Sequence, residues 1–179
     1  MNEVQPIKSI RDINKMKKAL HGRDRLLFII GINTTLRISD ILSLKYSDIQ
    51  GDYIILKEKK TGKSKCIRIN SAIKNALNNA SPRRAYNSEE WLFPSRKGNG
   101  PISRVQAWRI LKDAANRADL NIDIGTHSMR KTAAYHAYKN GTDISLLMRV
   151  LNHGSQRETL RYIGIESEQI DDVYLDLCL

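Results

Sequence analysis

Apolar residues in the first fifty positions recur at helical rather than strand spacing. Ser9, followed three residues later by Asp12, forms a capping pattern, and Ile10, Ile13, Met16 and Leu20 follow near a helical period, which predicts a helix over 9–20. A mostly apolar second helix covers 24–33, Thr34-Thr35-Leu36-Arg37 breaks it, and a short third helix covers 39–44, so Arg37 falls at a helix junction. The runs Tyr53-Ile54-Ile55-Leu56 and Cys66-Ile67-Arg68-Ile69 flank a polar tip containing Thr61-Gly62 and predict a β-hairpin. Residues 71–80 read as a helix burying Ile73, Ala76, Leu77 and Ala80, stopped by Ser81-Pro82.

The stretch 83–101 is rich in turn formers and has Trp91, Leu92 and Phe93 as its apolar anchors, which predicts a long surface loop. Ser103 and Gln106 cap a helix running to about Ala118, with Val105, Trp108, Leu111, Ala115 and Ala118 expected inward. Short helices follow: 126–140, ended by Gly141; 143–151, burying Ile144, Leu147, Met148 and Leu151; and one capped by Ser155 and Glu158. Ile170, Val173, Tyr174 and Leu177 then form a terminal apolar stripe. The expected architecture is mainly α with one small antiparallel β-sheet, an α+β fold.

At 179 residues and 41% apolar content, the chain is sized for a single domain with a real core. No run approaches the roughly 18 apolar residues of a membrane span, and the N-terminus lacks the pattern of a secretion signal, so a soluble cytoplasmic protein is expected. The two cysteines, Cys66 and Cys178, sit in no metal-ligand spacing, and neither a disulfide nor a metal site is expected. A net charge of +11 favours a polyanion such as nucleic acid, though charge alone is equally compatible with a basic protein that binds none. Lys57, Lys59, Lys60, Lys63 and Lys65 crowd the hairpin tip, where solvent or a phosphate backbone must screen them, and a DNA contact is the better reading.

His127 and Arg130, three apart at the start of one helix, could present paired groups to an anion. His153 sits at an abrupt helix end in Asn152-His153-Gly154, and Tyr162 follows a short capped helix. Singly, such residues are more often dipole partners or packing. In sequence order, however, Thr35-Leu36-Arg37-Ile38-Ser39-Asp40-Ile41-Leu42, Lys60-Thr61-Gly62, His127-Ser128-Met129-Arg130-Lys131-Thr132, Leu151-Asn152-His153 and Thr159-Leu160-Arg161-Tyr162 resemble the successive signature boxes of tyrosine recombinases. The chain is thereby similar to the catalytic domain of the phage integrase family from about Asp24 to its C-terminus.

The resemblance implies the tyrosine recombinase catalytic-domain fold and a site-specific DNA strand transferase of a phage or mobile element, acting in DNA recombination and integration. Arg37 and Arg130 would bracket the scissile phosphate, and Tyr162 would attack it, leaving a 3′-phosphotyrosyl bond. Lys60, or its neighbour Lys59, would protonate the leaving 5′ oxygen; His127 or a phosphate oxygen would accept the phenol proton; His153 would hydrogen-bond the phosphate; and Asp40 would support the site. No cofactor or metal is implied. Double-stranded DNA is the expected partner, contacted by Lys57, Lys59, Lys63 and Lys65, and the terminal stripe is a candidate for homo-oligomer assembly on DNA. The expected organisation is one catalytic domain over 1–179 without the N-terminal core-binding domain of longer relatives. Asn152 stands where the family very often has Gly. A type IB topoisomerase-like enzyme, or an accessory DNA-binding protein of the same fold without turnover, would be the rivals.

Overall fold

The structure, a computed structural model, describes residues 4–60, 62–80, 87–165 and 174–177. Helices α1 (Ile10–Ala19), α2 (Gly22–Thr34) and α3 (Ile38–Leu42) lead into a three-stranded antiparallel sheet of order β1 (Ile49–Gln50), β2 (Tyr53–Lys57) and β3 (Ser64–Arg68). Then come α4 (Ser71–Ala80), α5 (Arg104–Arg117), α6 (Thr126–Lys139), α7 (Ile144–Leu151) and α8 (Gln156–Ile163). The capping residues read from the sequence perform as expected: Ser9, Ser103 and Ser155 each accept a backbone N–H three residues on.

Apolar residues surround α2 on nearly every side, and Leu26 through Gly31 are all buried, so this helix forms the axis of the main core. It packs on α4 and on α6, where Gly31 meets Met129. A smaller cluster of Ala134, Tyr135, Leu147, Leu151, Ile163 and Ile165 joins the second half of α6 to α7 and α8. Because Met129 belongs to the main core and Tyr135 to the smaller one, α6 is the beam shared by both. The N-terminal segment crosses this beam: Ile7 N–H donates to Thr132 Oγ1 at 2.8 Å, and the Ile7 carbonyl lies 3.0 Å from His136 Nε2.

In β2, Ile54 and Leu56 face the core while Tyr53, Ile55 and Lys57 face outward, the alternation that a half-buried strand requires. The sequence pattern misses β1, which is too short to show a period. The stripe expected on α5 is rotated. Val105 and Trp108 are 57% and 41% exposed, and the buried residues are Ala107, Leu111, Ala114 and Ala115. Alanines form most of the inward face where α5 meets α1, α3 and α6, and Trp108 lies outside under the Lys112 ammonium. Ile144 and Met148 are only half-buried, with Leu147 and Leu151 anchoring α7. Ser81-Pro82, Ile170, Val173 and Cys178 lie outside the described residues, while Tyr174 and Leu177 are exposed. Leu92 and Phe93 are buried as expected of loop anchors.

A methyl group at Gly31 would run into Met129 Sδ and stand 2.9 Å from Met129 Cβ, which the backbone of α6 fixes. Gly31→Ala is therefore expected to destabilise the fold by about 1–2 kcal/mol net, overpacking outweighing the gain in helix propensity. Urea denaturation checks this; an unchanged or raised midpoint would show that α2 and α6 can separate at little cost.

Candidate active site

Two helix ends in left-handed conformation frame the site. Thr35, at φ 54 and ψ 14, ends α2, and Asn152, at φ 58 and ψ 49, ends α7. Asparagine is the usual substitute for glycine in this conformation, which explains how Asn152 is accommodated. Threonine is a poor choice there, because β-branching opposes positive φ. Arg130 joins the two ends: its Nη1 donates to the Thr35 carbonyl at 2.5 Å and its Nη2 to the Leu151 carbonyl at 2.7 Å. The guanidinium thus sits where two helices present unpaired carbonyls and the negative ends of their dipoles. Contrary to the expectation of a side chain projecting from the first turn of α6, Arg130 is buried, and its remaining N–H groups are the ones left for a ligand. Burial lowers its pKa and Arg37 adds to that, while Tyr162 and Glu58 oppose it; a guanidinium stays charged at working pH regardless.

Arg37 is the N-cap residue of α3, and its Nη1 lies 3.5 Å from Glu58 Oε2 without completing a hydrogen bond. Its charge acts on His127, Arg130, His153 and Tyr162, so these side chains, drawn from separate elements, converge. Tyr162 is on α8 itself rather than after it. Its phenol oxygen is buried and completes no hydrogen bond of full geometry, although the Arg130 guanidinium lies near enough to act on it as a donor; its ring meets His153 edge-on at 5.0 Å, and the Lys131 ammonium stands over the ring at 5.1 Å. Loss of water raises the phenol pKa above 10.0, against the pull of Arg130 and Arg37, so at neutral pH the hydroxyl keeps its proton.

His127 is open to solvent on one side, yet partial withdrawal from water, followed by Arg130, Arg104, Lys131 and Arg37, lowers its pKa below 6.5. A neutral imidazole amid these cations is a proton acceptor. His153 is lowered as well, by desolvation first, with Glu158 opposing. Its Nδ1 lies 3.1 Å from Thr159 Oγ1, and that hydroxyl donates to the Ser155 carbonyl at 3.2 Å. The Thr159 hydroxyl thus fixes the orientation of the imidazole through Nδ1 and leaves Nε2 as the ring nitrogen available to a ligand.

Asp40 is fully buried. Its Oδ1 accepts the Lys59 backbone N–H at 3.0 Å, tying α3 to the loop after β2, and its Oδ2 has no hydrogen-bond partner. Lys57, Lys59, Lys60 and Lys63 are exposed around the hairpin tip, and Thr61 lies outside the described residues. Lys60 is not among the charges that shift the buried groups. Lys65 departs from its expected place as a free surface cation. It is half-buried and donates to Glu58 Oε1 at 3.0 Å and to the Val150 carbonyl at 3.3 Å. Sequence reasoning misses Glu58, Lys131 and Thr159, although the period of β2 places residue 58 on the same inward face as Ile54 and Leu56. Among the described residues, no His, Cys, Asp or Glu group could hold a metal ion, and no helix is long and apolar enough to cross a membrane.

This helical domain with a small sheet and converging basic residues has the catalytic-domain fold of tyrosine recombinases; the crystal structure of XerA recombinase superposes with a TM-score of 0.76 at 19% identity, covering 99% of this chain and 67% of that one. Residues 4–169 match the Phage integrase family, and the chain belongs to it. It is 43% identical over 178 residues to the probable integrase/recombinase YoeC of Bacillus subtilis strain 168, covering 97% of each chain. It is 31% identical to the tyrosine recombinase XerD of Corynebacterium glutamicum, covering 85% of this chain and 51% of that one, and so spans about half the length of that relative.

Both histidines titrate below 6.5 in the folded chain, so on acidification the unfolded chain takes up protons first. Their contribution to stability is intact above 6.5 and declines as pH falls from there through their lowered values. Denaturation midpoints measured across this window should flatten in the His127→Gln, His153→Gln double variant; an unaltered slope would place the proton uptake elsewhere.

Proposed function

We propose that this chain cuts and rejoins DNA strands at specific sites through a covalent bond between Tyr162 and a backbone phosphate. The phenol oxygen attacks phosphorus, its proton passing to His127 or to a phosphate oxygen, and the bond to the 5′ oxygen breaks. The products are a 3′-phosphotyrosyl link and a 5′-hydroxyl protonated by Lys60. The reverse attack by a 5′-hydroxyl reseals the strand without an external energy source. Arg37 and Arg130 donate charge-assisted hydrogen bonds to the nonbridging oxygens and stabilise the charge that grows in the transition state. His153 adds another donor through Nε2, and Asp40 fixes the loop that carries Lys60.

The observation that carries this reading is a buried phenol oxygen that completes no full-geometry hydrogen bond and is acted on by both guanidiniums, Arg130 the more strongly. A tyrosine in structural use would spend that hydroxyl on a well-formed partner. The exposed lysines 57, 59 and 63 and the net charge of +11 suit the backbone of double-stranded DNA. The exposed Tyr174 and Leu177 suit assembly of copies on that DNA. On this reading the chain acts as one catalytic domain, on DNA in a prokaryotic cytoplasm.

Incubation with nicked duplexes bearing candidate attachment sites, in EDTA, should give a covalent adduct on denaturing gels. Tyr162→Phe should give none, and Arg37→Ala should slow adduct formation by about 10²–10³-fold. A shift on native gels without any adduct from the wild-type chain would mark a binding protein instead. Relaxation of supercoils without exchange between sites would mark a topoisomerase.

A further inference from the structure

We propose that Glu58 is a positioning residue that holds Arg37 in place for the scissile phosphate, an inference that rests on the strand-cleavage reading above. Glu58 continues the inward face of β2 after Ile54 and Leu56 and is 6% exposed, so its carboxylate is drawn from water on the side of the hairpin that faces the core. Burying a carboxylate costs several kcal/mol unless cations compensate. Two do so: Arg37 Nη1 at 3.5 Å from Oε2, and Lys65 Nζ at 3.0 Å from Oε1. Lys65 passes the connection on to the Val150 carbonyl in α7.

The backbone of the same residue shapes the loop beside it. Glu58 N–H donates to the Lys63 carbonyl at 2.9 Å, and its carbonyl accepts from Gly62 N–H at 2.8 Å, closing the turn that carries Lys59 and Lys60. One residue therefore links the hairpin tip, through its main chain, with an arginine of the site, through its carboxylate. The link to Arg37 is one of charge: Nη1 is buried and lacks hydrogen-bond geometry, so the negative charge opposite is what holds it to Glu58. The contact occupies one Nη group and leaves the rest of the guanidinium to a phosphate. Glu58 also acts on Arg130, raising its pKa, and so offsets the repulsion between the two arginines.

The test uses single-turnover adduct formation by the full chain on the nicked duplex that the wild type cleaves. Glu58→Gln keeps the shape and removes the charge. It should slow adduct formation by about 10–100-fold, the range found when support for a reacting group is lost. The Kd for the duplex should stay within about twofold, as should that of Glu58→Ala. In an Arg37→Lys background, Glu58→Gln should cost less than about a further twofold, because the group through which it acts is already altered. A wild-type or faster rate in Glu58→Gln would overturn the proposal, the faster rate marking the ion pair as a lock that the phosphate must break. The same fold-loss in both backgrounds would also overturn it and leave Glu58 a merely structural residue. A wild-type chain that forms no adduct on any duplex would fail the cleavage reading itself, a result distinct from either of these.

Discussion

The buried guanidinium of Arg130 is the constraint on which the rest of the structure turns. It donates to the last turns of α2 and α7, which belong to different hydrophobic clusters, and it does so from α6, which belongs to both. Remove it, and two buried carbonyls lose their donor while Thr35 loses the contact that sustains a costly backbone conformation. The residue that would touch the phosphate is thus also the one that fixes the relative placement of Arg37, just past the end of α2, and His153, just past the end of α7. On the proposed reading function and fold share one hydrogen-bonding group, so substitutions at Arg130 would read out both, whereas those at Arg37 would read out the site more cleanly.

This arrangement leaves the site electrostatically incomplete. Arg130, Arg104, Lys131 and Arg37 all press on His127, while the buried Glu58 carboxylate pairs with Arg37 and acts on Arg130. Repulsion of this kind is a cost to the unliganded fold that a phosphodiester would remove. The lowered histidine pKa values and the raised phenol pKa have the same origin: each group is kept neutral in a crowded, partly dry and positive pocket. On the proposed reading, a neutral His127 as acceptor and a neutral Tyr162 as nucleophile beside fixed cations are what a proton transfer concerted with attack on phosphorus requires.

Much of this was legible in the residues themselves. Serine caps, the period of α2 and the alternation of β2 dictate their elements locally, and Arg37 falls at a helix junction because Thr34-Thr35 interrupts an apolar run. The role of Arg130 was not legible, because the carbonyls it binds come from residues 35 and 151, whose approach is a property of the tertiary fold. Trp108 misled for a related reason. Its size suggests burial, but the inward face of α5 is set by small residues where neighbouring helices come close. Glu58 was concealed by composition: amid a run of lysines a lone carboxylate reads as solvated surface, and only strand parity shows that it turns inward.

The mounting of Tyr162 follows from the same division of the core. Its helix is held to the smaller cluster by Ile163 and, just past its end, by Ile165, and Lys8 Nζ donates to the Gly164 carbonyl at 3.3 Å; among the described residues it contributes nothing to the larger core around α2. A segment with few buried apolar anchors opens at lower free energy than the body that carries it. The arginines, by contrast, sit at junctions of α2, α3 and α6, where the larger core holds them. On the proposed reading, rigid charges and a less deeply anchored tyrosine suit a reaction in which the phosphate is gripped throughout while the buried phenol oxygen moves onto phosphorus and off again.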